Sequence, residues 1–140
     1  MGKKYRLISE TIEINGKTLH KIEALIDIDS VEVKAGDKGG FIESEENLSQ
    51  EGNCWVGNDG QVSGDAQVYG NAWVSGNAWV FGNAQVYDNA EVFDNARVFG
   101  NARVCDYAKV FDNAQGFDNA QVFGNAQVFG GARVSGDARV

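Results

Sequence analysis

Asn71-Ala-Trp-Val-Ser-Gly, Asn77-Ala-Trp-Val-Phe-Gly, Asn83-Ala-Gln-Val-Tyr-Asp and Asn89-Ala-Glu-Val-Phe-Asp follow one another without a break. They belong to fifteen consecutive hexads that begin at Asn53 and end at Asp137–Val140. The fourth place is valine in every hexad except at Gly116, and the second is alanine except at Cys54 and Gly60. The sixth and first places make a pair such as Gly70-Asn71 or Asp88-Asn89. Along an extended chain, side chains alternate between two sides. Ala and Val therefore share one side, and the variable third place (Trp, Gln, Arg, Glu or Lys) takes the other and faces solvent.

Each hexad then reads as a very short strand followed by a corner, where Gly, Asp and Asn tolerate left-handed backbone. Three strands close a triangular coil of eighteen residues, and stacked coils form parallel sheets. Fifteen hexads predict about five coils, roughly 24 Å of stack at about 4.8 Å per coil. One repeat cannot bury its own apolar side, so the stack itself supplies the core. The absence of proline suits an unbroken ladder. The expected fold class is all-β, a parallel β-helix of about five 18-residue coils with an N-terminal β-hairpin cap. Residues 47–140 form the helix and residues 1–46 the cap.

In the N-terminal part, Lys4–Ile14 and Lys17–Ile28 flank Asn15-Gly16, a strong hairpin signal. A short strand from Val31, a turn at Lys34-Ala-Gly-Asp and a tight turn at Gly39-Gly40 are expected to deliver the chain to the solenoid. Asn47-Leu-Ser-Gln-Glu-Gly is a degenerate hexad that opens an imperfect first coil. The hairpin is expected to cover the N-terminal end of the stack, where an open coil would expose both edge and core.

Tyr5-Arg6-Leu7, Lys34-Ala-Gly-Asp-Lys-Gly-Gly-Phe-Ile and Asn47-Leu-Ser-Gln-Glu-Gly-Asn-Cys-Trp resemble the N-terminal segment of bacterial YdcK-like hexapeptide-repeat proteins. Ala90-Glu-Val-Phe-Asp-Asn-Ala and Ala108-Lys-Val-Phe-Asp-Asn-Ala resemble repeat units of the same family. The resemblance implies a left-handed β-helix, although parallel crossovers are ordinarily right-handed. It also implies a transferase-like label without a defined substrate.

Formal net charge is −8, divided evenly between residues 1–52 and 53–140. No basic track for nucleic acid is expected. No apolar run is long enough for a signal peptide or a membrane span, and a cytoplasmic setting is expected. Cys54 takes an inward place and reads as a small apolar filler, while Cys105 stands outward two coils later. Their register offers no disulfide.

The single histidine, His20, lies in the hairpin, and no histidine or loop excursion interrupts the hexads. Acyl transfer of the kind that uses a coil-borne histidine has no general base here. No catalytic residue, cofactor site or metal site is therefore assigned. Asp88 stacks over Asp106, and Asp94 over Asp112, by the eighteen-residue register. Calcium could bridge such a pair, but it needs more oxygen ligands than two carboxylates supply. Turn aspartates are the favoured reading.

Outward aromatics are the unusual feature. Phe93, Phe111 and Phe129 line one face together with Trp55 and Trp73. Phe81, Phe99 and Phe117 line a second with Trp79. Tyr69, Tyr87 and Phe123 line the third, interrupted by Cys105. Exposed rings suggest a partner surface, and rings stacked along a β-helix also stabilise one another. Val134 and Val140 lie in the final coil, near Phe123 and Phe129, with no layer above them. These observations predict a non-catalytic protein-binding module. Its partners would be an unidentified protein, on the six phenylalanines of the first two faces, and a second copy of itself. The dimer would form through Phe123, Phe129, Val134 and Val140. Two alternatives are an acidic inhibitor, of the kind a phage could encode against a host nucleic-acid-binding or defence complex, and an acyltransferase-like enzyme by family resemblance.

Overall fold

The computed structural model describes residues 2–140. Strands β1 (Tyr5–Ile14) and β2 (Lys17–Ala24) pair antiparallel, with Ile14 opposite Lys17. Between them Asn15 and Gly16 both take positive φ, 52° and 80°, as a two-residue hairpin turn of the primed type requires. A 3-10 turn at Asp29–Val31 follows. The strand expected from Val31 does not form: Glu32 is left-handed (φ 57°), and only the Ile28–Val33 bridge is made there.

Gly39-Gly40 is not a turn. Both residues lie inside β3 (Lys38–Ile42), which pairs antiparallel with β2 and parallel with Gln61–Val62. A Cβ at Gly39 would collide with the Val56 carbonyl oxygen, and one at Gly40 with that of Gly60. The two glycines thus let β3 lie directly on the first coil. Glycine inside a strand marks such close backbone approach as often as a break.

From Trp55 onward each of the first fourteen hexads contributes a strand of two residues, the last adds only a single bridge at Arg139, and the strands stack into three parallel sheets. The first face holds the strands at Gln61, Trp79, Arg97, Gln115 and Arg133, and β3, β2 and β1 extend it to eight strands. The second face holds those at Trp55, Trp73, Glu91, Lys109 and Gln127, and the third those at Gln67, Gln85, Arg103 and Gln121. Single bridges, Leu48 with Val68 and Gln121 with Arg139, lengthen the third face at both ends. The chain is an all-β parallel solenoid of about five coils. At the corners the sixth residue is left-handed throughout, for example Gly70 (φ 68°) and Asp88 (φ 58°). That conformation explains the restriction to Gly, Asp and Asn.

The interior is a column of buried alanine and valine from Ala66 to Val134, continuous with Tyr5, Ile22, Ile42, Leu48 and Trp55 beneath the hairpin. Gly116 interrupts it. Val98 pairs with it from below and Val134 from above, and a Cβ built on Gly116 meets no atom within 4 Å. Phe117 does not fill the gap, because its ring is stacked on Phe99. Gly116→Val should therefore raise stability by about 1–2 kcal/mol through buried apolar area and a less flexible unfolded chain. Chemical denaturation checks this, and a lowered midpoint would show that the layer has no room for the isopropyl group.

Candidate binding surfaces

Because the coils repeat in register, residues eighteen apart fall into outward columns, and several of these columns are aromatic. Phe81, Phe99 and Phe117 stack nearly parallel, with centroids 4.9 and 5.1 Å apart. On the second face Phe93, Phe111 and Phe129 do the same at 5.0 and 5.5 Å. On the third, Tyr69 and Tyr87 stack at 5.0 Å, and Cys105 separates them from Phe123. Rings of the ladder interior are half-buried by their neighbours, whereas Phe123 and Phe129 are 40% and 55% exposed. The structure thus brings the six phenylalanines of the first two faces into two columns, and it places Phe123, Phe129, Val134 and Val140 in or next to the last coil.

Trp79 meets Phe81 edge-on, and the Arg97 guanidinium lies over the Trp79 ring at 5.1 Å. Beside this pair a cleft of 380 Å³ opens between the hairpin tip and the first face, walled by Ile14, Lys17, Ser63, Asp65, Trp79 and Phe81. Hydrophobic periodicity could not reveal it, because it depends on where a non-repeating hairpin overhangs the coils.

The stacked corner aspartates bracket the backbone. Asp88 Oδ2 accepts the Asp106 amide at 3.2 Å, and Asp106 Oδ2 accepts that of Gly124 at 2.8 Å. Asp94, Asp112 and Asp118 repeat the arrangement with Asp112, Gly130 and Gly136. Donor atoms of Asp88, Cys105 and Asp106 lie within 4.8 Å of one another. One oxygen of each of these two carboxylates is already held by an amide.

Cys54 is more than an apolar filler. Lys4, only 2% exposed, donates from Nζ to the carbonyl oxygens of Cys54 (2.7 Å) and Gly52 (3.3 Å) and to Cys54 Sγ (3.2 Å). In the next coil the equivalent carbonyls, Ala72 and Gly70, accept amides from the coil below. The first coil has none beneath it, so the ammonium supplies the missing donors. Burial lowers the Lys4 pKa and raises that of Cys54, and their mutual attraction partly offsets both. Lysine at position 4 carries no periodic signal, and the sequence reading missed it. His20 lies on β2 between Thr11 and Ile42, away from the ladders.

Among the described residues both cysteines are free, and no helix is long and apolar enough to cross a membrane. A stack of two-residue parallel strands with laddered outer columns defines a β-solenoid repeat protein. The family model described as YdcK Beta solenoid repeat matches residues 61–76, 66–82 and 120–136. The chain carries YdcK-type β-solenoid repeats, in agreement with the resemblance read from its sequence. The matched stretches all lie in the coils and none in the hairpin. No curated protein matches the chain.

The two thiols should react very differently. Cys54 is fully buried and Cys105 only partly so, so alkylation of the native protein should label Cys105 alone. Burial lifts the Cys105 pKa above its ordinary 9.0; a Tyr87 contact offsets part of the rise, and the Asp106 and Asp88 charges add to it. Because the thiolate is the nucleophile, the labelling rate should still be climbing above pH 9. Asp106→Asn should move that climb to lower pH, as iodoacetamide kinetics followed by mass spectrometry will show.

Proposed function

We propose that the chain is a non-catalytic protein-binding module whose working surface is its laddered aromatic faces. The observation that carries this reading is the continuous column Phe81–Phe99–Phe117, half-exposed and adjoining the cleft beneath the hairpin. Stacking covers the two flat sides of an inner ring and leaves its outer edge to solvent. Three such edges in line, next to Trp79 and Arg97, have the aromatic and arginine composition typical of protein interfaces. Rigid rings also lose little entropy on contact, which favours their use as anchors.

The test compares affinity capture from the native host by the parent and by Phe99→Ser and Phe117→Ser chains. Both variants keep Phe81 and the cleft. A bound protein retained by the parent and lost from both variants supports the reading, provided each variant still unfolds cooperatively. Equal recovery by all three chains would discard the ladder as the surface used.

A second reading, self-association, is supported by the last coil. Val134 and Val128 are buried, but Val140 is 45% exposed and Phe129 and Phe123 stand out beside it. The amides of Gln127, Phe129, Arg133 and Ser135 occupy places that donate upward in lower coils, as Lys109 does to Ala126 and Phe111 to Val128. Within residues 2–140 they have no coil above. A second copy meeting this surface about a two-fold axis would cover apolar groups and unpaired amides together. For the 140-residue chain, sedimentation should give a dimer at micromolar concentration, and Val134→Lys with Val140→Lys should give a monomer. A parent chain that sediments as a monomer throughout would refute the dimer.

A further inference from the structure

The phenylalanine column of the first face lacks its lowest ring. Phe117 stacks on Phe99 and Phe99 on Phe81. One coil further down the register pairs Gln61 with Trp79 and Val62 with Val80, which puts Ser63 beneath Phe81. Serine is too short to reach the place that a ring would hold there. The side of Phe81 turned away from Phe99 is therefore not covered by its own column.

The hairpin turns this gap into a site. His20 on β2 pairs with Ile42 on β3, and Ile42 pairs with Val62. Ile14–Lys17 thus extend beyond the end of the β2–β3 pairing and overhang the corner that follows Val62. Between that overhang and the coil lies the 380 Å³ cleft, with Ile14 and Lys17 on one side and Ser63, Asp65, Trp79 and Phe81 on the other. Its size falls in the range of pockets that take small ligands or side chains. A flat ring placed over Ser63 would continue the stack at the ladder's own spacing, with Trp79 standing nearly perpendicular to it at the edge (80° to Phe81). Offset stacked and edge-on contacts are the two arrangements aromatic pairs prefer.

Charge narrows the class of ligand. Lys17, the cation of the rim, is paired with Glu43 at 3.6 Å. Asp65 is exposed and forms no ion pair among the described residues, and a second, polar hollow on the far side of Lys17 is lined by Glu43, Glu46 and Asp65. A phosphate group would meet a negative rim, whereas a lysine or arginine would find Asp65 free. We propose that the cleft binds an aromatic side chain of a peptide segment, with a basic residue beside it, so that the incoming ring completes the ladder below Phe81. This rests on the reading of the chain as a protein-binding module and specifies the chemistry of one part of its surface.

The test uses three probes: the acetylated, amidated tripeptide lysine–tyrosine–lysine, its lysine–leucine–lysine counterpart, and adenosine monophosphate. Each is titrated into the full chain while the Ser63 and Gly64 amides and the Trp79 indole N–H are followed by NMR. The tyrosine peptide should give saturable shifts confined to the cleft, and the leucine peptide should bind about tenfold more weakly. Ser63→Phe fills the missing place with the chain's own ring, so it should lose binding while its melting temperature stays level or rises. Ser75→Phe, which extends the Phe93 column on the second face, should bind like the parent. Equal affinity for leucine, retained binding in Ser63→Phe, tighter binding of the nucleotide, or no saturable shift with the tyrosine peptide would each overturn the proposal. None of these outcomes touches capture through Phe99 and Phe117, so failure here is distinguishable from failure of the wider reading.

Discussion

The structure depends on one hydrogen bond repeated coil after coil. Trp55 donates to the Ala72 carbonyl, Trp73 to Ala90, Glu91 to Ala108 and Lys109 to Ala126, each across the same step in sequence. Strands of two residues are far below the usual length and would not persist alone. They persist because each is clamped between two copies of itself over a core one side chain wide. The same step places every side chain over its counterpart, so wherever a residue type recurs in a column its interaction with itself decides the character of that column. Phenylalanine and tyrosine stack favourably. Asparagine passes an amide hydrogen to the next asparagine, as Asn83 does to Asn101 and Asn101 to Asn119. Aspartate would repel aspartate, but it turns one oxygen to the backbone amide above, so that each carboxylate reinforces the ladder it could have disturbed.

A ladder of this kind leaves polar groups unmet at its terminal coils. At the bottom, carbonyls lack donors, and Lys4 answers with one ammonium that reaches Gly52, Cys54 and the Cys54 thiol at once. Burying a lysine is costly unless its hydrogens are used, and here they replace a missing coil. Gln50 adds a second clasp by accepting the Lys4 and Tyr5 amides. The hairpin is therefore fastened by polar groups as well as by its apolar face. In the last coil the amides of Gln127, Phe129, Arg133 and Ser135 have no coil above within residues 2–140, and neither does the Gln127 carbonyl, the counterpart of the Gln121 carbonyl that accepts the Val140 amide.

Much of this was legible because a strict period leaves little freedom. Alanine and valine at alternate places dictate the interior, the variable third place dictates the outside, and the eighteen-residue register by itself assigns Phe81, Phe99 and Phe117 to one column. What escaped the reading lies where the period stops. Gly39-Gly40 resembles a turn by composition, yet those residues are glycine because Val56 and Gly60 carbonyls press against them. Lys4 resembles any surface lysine until the first coil's orphan carbonyls are counted. The cleft escaped for the same reason: Ile14 and Ser63 are brought together by the pairing of β2, β3 and the first coil, a relation no local pattern encodes.

In so uniform a stack, specificity must reside in the departures from uniformity, and three of them differ in kind. Gly116 omits a side chain from the interior, so its space is apolar and sealed between Val98 and Val134. Cys105 replaces a ring on the third face and divides Tyr87 from Phe123 without any overhanging wall. Ser63 omits a ring on the outside, next to an aromatic corner and beneath a hairpin tip that lends Ile14 and Lys17 to the same space. A vacancy becomes a recognition site only when it is accessible, walled and chemically one-sided. Of the three, Ser63 alone meets all of these conditions, and it does so because the non-repeating hairpin leans over the place where the Phe81 column lacks its ring.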